Sequence, residues 1–258
     1  MLRKSAVCFA VASLFASGAR ADAVFRPLPF FQDWTDTSLI TAANDWSGVP
    51  GFLGYRGDGL VSVAGADPSL IVAPGTGTPL QVIANQSNPN TLISGGIAEF
   101  ELADAAVALQ GSSTADAPFL LLDLDTRGWQ DVHLSYVVRD LDGSMDDAVQ
   151  PLALQYRTGG SGDFVNLPAA FLADATVGSA AGAVTPVALT LPADAAGTAA
   201  LQLRFITANA TGNDEWIGID SISVTGSPLA PVPEPGQWML MASGLGVLAF
   251  TARRRLAL

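Results

Sequence analysis

Between residues 24 and 230 the chain has no cysteine, no lysine and a single histidine, His133. The only cysteine anywhere, Cys8, lies near the start. These absences exclude a disulfide framework and thiol chemistry, disfavour zinc, and remove most pairings of nucleophile and base. No Gly-x-Ser-x-Gly stretch supplies the turn that a hydrolase serine uses. Positive charge is scarce as well: the same stretch holds 22 acids against six arginines, a net charge of −16. Such a body repels a polyanion, so nucleic acid is excluded as a partner. Its self-repulsion is relieved by bound counter-ions, which points to divalent cations.

Both ends read as processing segments. Met1-Leu-Arg-Lys4 is a short positive region, Ser5 to Gly18 is apolar and small, and two small-x-small triplets follow, Ala19-Arg20-Ala21 and Ala21-Asp22-Ala23. That is the pattern of a signal peptide over residues 1–23, cut after Ala21 or Ala23 and placing the rest outside the cytoplasm. Its apolar run is too short to span a bilayer as a permanent helix.

The body, residues 24–227, carries strand signals at short intervals between Gly, Pro, Asn and Asp, and no amphipathic helix of three turns. The expected strands are Gly59–Val63, Leu70–Val72, Leu80–Ala84, Ile97–Leu102, Phe119–Leu124, Val132–Arg139, Leu152–Arg157, Val187–Leu191, Leu201–Thr207 and Ile217–Val224. In Val132–Arg139 the apolar set Val132, Leu134, Tyr136 and Val138 alternates with His133, Ser135, Val137 and Arg139, the period of a half-buried strand. In Leu201–Ile206 the set Leu201, Leu203 and Phe205 alternates with Gln202 and Arg204. Leu152–Arg157 and Phe164–Leu167, joined by Thr158–Gly162, read as a hairpin. Together they predict an all-β chain folded as a single sandwich or jelly-roll domain. Residues 228–235, "PLAPVPEP", form a proline-rich linker, because proline fixes φ and donates no hydrogen bond.

The stretches "LQYRTGGSGDFVNLP" and "LQLRFITANATGNDEWIGIDSISVTG" resemble the closing half of the jelly-roll modules of secreted bacterial proteins, over roughly residues 130–226. In related galactose-binding-like and MAM-like sandwiches, an acid of the last strand and acids near the domain start hold a structural calcium. By position, the resemblance implies Asp220 with Asp33, Asp36 or Asp45.

Calcium takes six to eight oxygen ligands, so loops rich in Asp and Asn are its candidates. "RDLDGSMDD" offers Asp140, Asp142, Asp146 and Asp147, and "LDLDTRGWQD" offers Asp123, Asp125 and Asp131. The second is not an EF-hand, because Arg127 and Leu134 stand where oxygen ligands are required. Asp in such places also serves ordinary turns. "NATGNDEW" could bind calcium or a sugar, with Trp216 or Trp129 as a stacking platform. Paired carboxylates for glycoside hydrolysis would have to come from the abundant Asp or from Glu99, Glu101 and Glu215. Trp34 and Trp46 are expected to anchor the opening loop.

The tail combines Val232-Pro233-Glu234-Pro235, an apolar run from Trp238 to Ala252 expected to form a transmembrane helix, and Arg253-Arg254-Arg255. The arginines hold that end in the cytoplasm and leave the body outside. A plain anchor does not account for the Pro-Glu-Pro. All three parts, within residues 231–255, closely resemble the PEP-CTERM sorting signal of Gram-negative bacteria. The resemblance implies recognition by an exosortase at the inner membrane near Pro233-Glu234-Pro235, then release to the cell envelope or an extracellular polysaccharide matrix. The expected function is a non-enzymatic surface or matrix protein that binds calcium or polysaccharide. The rival expectation is a secreted hydrolase of matrix polysaccharide.

Overall fold

The computed structural model describes residues 24–75, 77–143, 148–176, 181–230 and 235–255. The signal segment with Ala21 and Ala23, the residues Val232, Pro233 and Glu234, and the acids Asp146 and Asp147 lie outside the described residues. In chain order the strands are β1 (Arg26–Pro27), β2 (Phe30–Gln32), β3 (Phe52–Tyr55), β4 (Ile83–Gln86), β5 (Gly96–Phe100), β6 (Ala106–Gln110), β7 (Phe119–Asp125), β8 (Trp129–Asp140), β9 (Ala153–Thr158), β10 (Val165–Asn166), β11 (Val184–Thr190), β12 (Leu201–Ile206) and β13 (Ile217–Pro228). An α-helix follows, α1 (Pro235–Arg255).

Two sheets result. The first runs β1-β7-β12-β9-β10, with β3 also on β7, and the second runs β11-β8-β13-β6-β5-β4, with β2 also on β13. The alternation sorts the side chains as the sequence predicts for β8: Val132, Leu134, Tyr136 and Val138 are buried, while His133 and Ser135 are exposed. They meet Leu120, Leu122 and Leu124 of β7 and Leu201, Leu203 and Phe205 of β12 in one core between the sheets. Tyr136 lies edge-on to Phe205 at 4.9 Å between centroids. Each large aliphatic or aromatic side chain buried there contributes about 1.5–3 kcal/mol. In β13 a register shift between Asp220 and Ser223, with Ser221 at φ 49°, lets Ile217 and Ile219 face the same core as Ile222 and Val224. Trp34 and Trp46 are both core residues, and Trp34 Nε1 donates to the Ile219 carbonyl at 2.8 Å.

Several expected elements differ. Gly59–Val63 forms turns and bends, and Pro68–Leu70 is a 3-10 turn capped by Asp67. Positive φ at Gly57, Gly59 and Gly65 breaks any extended run there. β6 was not expected, because its sequence Ala-Val-Ala-Leu-Gln is poor in strand formers. It forms because pairing with β5 and β13 buries all five residues.

The tail segment expected to span the membrane is helical, but among the described residues no helix is long and apolar enough to cross one. The run from Trp238 to Ala252 rises only about 22 Å against a hydrocarbon core of about 30 Å, and Ser243, Gly244 and Gly246 dilute it.

Candidate functional site

At one end of the sandwich, a cleft of about 680 Å³ opens between the loop after β6, the loop before β13, and the segment around Asn90 and Ile93. Gln110, Ser112, Ser113, Asp142, Asn213 and Asp214 are among its lining residues. The sequence loops "RDLDG" and "NATGNDEW", read separately as candidates, are brought together here. The Leu141 amide donates to the Trp216 carbonyl at 3.1 Å, and Gly143 N donates to Asn90 Oδ1 at 3.2 Å. Asp214 closes its own loop by accepting from Ala210 N at 2.7 Å, and Gln110 Nε2 donates to the Asp214 carbonyl at 2.6 Å. Gly111 passes so close to Asn209 and Asp214 that any side chain there would collide with both. Beneath the cleft, Gln150 Nε2 donates to Thr207 Oγ1 at 2.9 Å and to the Ala208 carbonyl at 2.8 Å, which fixes the floor.

Burial pushes the Asp214 carboxyl up to about 6, against the pull of its hydrogen bond from Ala210. The lining mixes amides, hydroxyls and carboxylates, so it presents both donors and acceptors. At the rim, Ile93 is 87% exposed, an apolar contact beside a polar cleft. Such a combination suits a polyol with a non-polar face, the character of a sugar ring.

The aromatic platform expected at Trp216 is not there. Trp216 is fully buried, packs edge-on against Phe100 at 5.2 Å, and donates Nε1 to the Leu92 carbonyl at 2.7 Å. Trp129 is half-buried against the core and the backbone of Gly226. Trp216 serves packing, because an aromatic between a core and a carbonyl satisfies its ring and its N–H together.

The acids proposed for calcium by resemblance are not gathered either. Asp33 accepts from Thr35 N at 3.2 Å, Asp36 caps the 3-10 turn at Thr37–Leu39 through Ser38, and Asp45 accepts from Ser47 N at 2.9 Å. Asp220 faces Arg139 Nη1 at 3.4 Å, where a guanidinium already supplies the positive charge. Local turns and this ion pair occupy the donors, so Asp33, Asp36 and Asp220 do not fit a shared cation. Among the described residues, no group of three or more His, Cys, Asp or Glu could hold a metal ion. Asp140 and Asp142 are buried near the cleft, Asp125 pairs with Arg127, and Asp131 lies near the start of β8. Glu99 and Glu101 do not act as a pair: Glu99 is buried and accepts from Asn85 N at 2.7 Å, whereas Glu101 is exposed beyond the end of β5.

The tail is built as the sequence suggests up to its length. α1 begins at Pro235, a residue tolerated in the first turn because its missing N–H has no partner to lose. Met239, Leu240, Met241, Leu245, Val247 and Leu248 are all exposed on it, and Arg253 near its end is exposed too. A family model described as the PEP-CTERM protein-sorting motif matches residues 231–255. The chain carries a PEP-CTERM sorting signal. That signal implies exosortase-dependent export.

No curated protein matches the chain. Solved structures resemble the chain loosely. The K3 cleaved adhesin domain of Lys-gingipain from Porphyromonas gingivalis is 14% identical, over 76% of this chain and 96% of that one, with a TM-score of 0.41. A xylan-binding module is 13% identical over 70% and 94%, with a TM-score of 0.38. Xylanase10C from Cellvibrio japonicus, solved with xylopentaose, is 13% identical over 70% and 28%, with a TM-score of 0.36. At these scores no function passes from them to this chain.

The body has a second polar feature, missed in the sequence because alternation alone predicts that Gln202 and Arg204 face water. They face outward from the first sheet but are buried. Strand register sets Asp123, Gln202 and Arg157 directly opposite one another, and sets Leu121, Arg204 and Gln155 opposite one another in the next outward row. Gln202 Nε2 donates to Asp123 Oδ1 at 2.6 Å and Gln202 Oε1 accepts from Arg157 Nε at 2.6 Å. Arg204 donates to Gln155 Oε1 and to the carbonyls of Ile71 and Ala73, tying the loop after Pro68–Leu70 down onto the sheet. The Phe164 ring lies between the two guanidiniums, 4.3 Å from that of Arg157 and 3.9 Å from that of Arg204. Burial, and then the nearby Arg157, pull the Arg204 guanidinium down to about 9. The signal that could have found the ladder is the matched spacing of Asp, Gln and Arg on three strands, which is visible only once their register is known.

Proposed function

We propose that the chain is an exported protein of the cell surface or matrix, held at the inner membrane by its tail, processed there by an exosortase, and binding polysaccharide through its body without chemical turnover. The sorting motif at residues 231–255 carries the first half of this reading. Its parts are Val232-Pro233-Glu234-Pro235, the apolar run of α1, and Arg253-Arg254-Arg255. The end cleft supports the second half. Amides and hydroxyls there match sugar hydroxyls in both hydrogen-bonding senses, and Ile93 offers a contact for the ring's C–H face. An extended polysaccharide would cross the cleft with one or two residues seated in it.

The test is retention of the exported protein on polysaccharide gels, compared with Ile93→Ala and Gln110→Ala. Ile93 is exposed, so its loss leaves the fold intact and weakens retention by about fivefold, the value of one lost apolar contact. Equal retention of both variants and wild type would remove the cleft from the account.

A second reading, hydrolysis, draws on one observation. Asp142 and Asp214 line the same cleft, and an Asp held up to about 6 resembles a general acid in its titration. Release of reducing ends from a bound polysaccharide, abolished by Asp214→Asn, would establish it. The binding account predicts no release.

A further inference from the structure

A smaller cavity, about 260 Å³, lies at the edge of the first sheet where β1 and β3 both meet β7. Val24, Trp46, Val49, Phe52 and Leu53 give it apolar walls, and Asp123 lines it too. Asp123 is only 1% exposed, and the partner of its Oδ1 is the neutral amide of Gln202. Arg157 holds the far side of that amide and its charge lowers the Asp123 carboxyl, but burial outweighs it and leaves the carboxyl raised. The other charged groups nearby are Asp45 at the rim, already bonded to Ser47, and Arg26, whose stem lies over Gly51. The cavity therefore fits a small apolar group bearing a positive charge.

Such a group adjoins the cavity in the chain itself. Val24 lines it, two residues before β1, and is 52% exposed. The triplet Ala21-Asp22-Ala23 ends immediately before Val24. We propose that this cavity seats the mature N-terminus: signal peptidase cuts after Ala23, and the Val24 ammonium that it frees pairs with the Asp123 carboxylate.

This rests on the expectation that the leader is removed. Hydrolysis of the Ala23–Val24 peptide bond leaves a carboxylate on Ala23 and an amine on Val24, which takes up a proton at neutral pH. A single neutral N–H donor becomes three donors with a full charge, beside a carboxylate that burial would otherwise leave under-compensated. A cut after Ala21 would instead bring Asp22, one more negative charge, to a rim that already has Asp45 and Asp123. Removal of the leader thus adds a stabilising contact that the precursor lacks, and the fold is completed only after export.

The test exploits the missing lysine. Once Lys4 has left with the leader, the α-amine is the only primary amine of the chain. The exported protein, recovered from cells, is sequenced from its N-terminus and treated at pH 7 with an amine-acylating reagent. The expected first residue is Val24, acylated about tenfold more slowly in wild type than in Asp123→Asn, the factor that one unit of pKa corresponds to. Acetylated wild type melts a few degrees lower than the free-amine form, and acetylation leaves Asp123→Asn unmoved. A start at Asp22, equal acylation rates, or an unshifted melting point after acetylation would each overturn the proposal. Should Asp123→Asn fail to fold, the comparison of free and acetylated wild type decides alone. Polysaccharide retention is a separate readout, so failure here leaves the end cleft untouched.

Discussion

Asp214 keeps its proton to about pH 6 because the cleft wall desolvates it more than the Ala210 amide stabilises its charge. The folded pKa lies above the unfolded one, so its contribution to stability is fully present below about pH 4 and is lost as pH rises through about 6. Asp214→Asn should remove that part of the pH dependence, on the order of 2–3 kcal/mol between pH 4 and 7, as read by chemical denaturation at each pH. Arg56-Gly57-Asp58, which spells an adhesion tripeptide, is explained at this scale too. Arg56 pairs with Asp58, and Gly57 sits at φ 74° with its Cα against the Ala117 carbonyl. Gly57→Ala should cost about 2 kcal/mol or more, measured as a drop in melting temperature, because it combines a left-handed conformation with a backbone collision. Single residues were the least legible in the sequence. Trp216 and Trp129 carried the same signal as binding aromatics, and only their burial separates packing from recognition.

Strands were read where β-branched, leucine or aromatic residues alternate, as in β8, β12 and the β9–β10 hairpin, whose register pairs Val165 with Tyr156. They were missed where the alternation is carried by alanine, as in β6, or where a run is too short to show a period, as in β1 and β2. Period-two reasoning also misassigned the outward row of β12. It distinguishes two faces but not whether a loop covers the outer one. The segment tied to Arg204 covers it here, so that arginine links an element to the sheet rather than to solvent. Arg204→Ala would leave the Ile71 and Ala73 carbonyls and Gln155 without their donor and would open space beside Phe164. The expected cost is about 3 kcal/mol, with amides of residues 70–73 exchanging with solvent faster than those of β8. Unchanged exchange in that loop would show that the ladder does not hold it.

Across the whole molecule, five of the six arginines of the body are used inside the fold or beside acids: Arg56, Arg127 and Arg139 in ion pairs, and Arg157 and Arg204 in the buried ladder, while Arg26 is exposed. With Asp33, Asp36 and Asp220 engaged locally, a chelator is expected to leave the melting temperature unchanged; a fall of several degrees would contradict this reading of the acids. The overall plan was legible because address signals are linear: a leader, a proline-rich linker and a tail can be read without knowing how the chain folds. What the body binds was not, since its cleft is assembled from loops more than sixty residues apart, such as Asp142 and Asp214. The central claim is that the tail is an address removed after use. Intact mass of the protein recovered from cells tests it most directly. The account predicts a chain that has lost the segment beyond about Pro233, and recovery of a chain extending through Leu258 would contradict it.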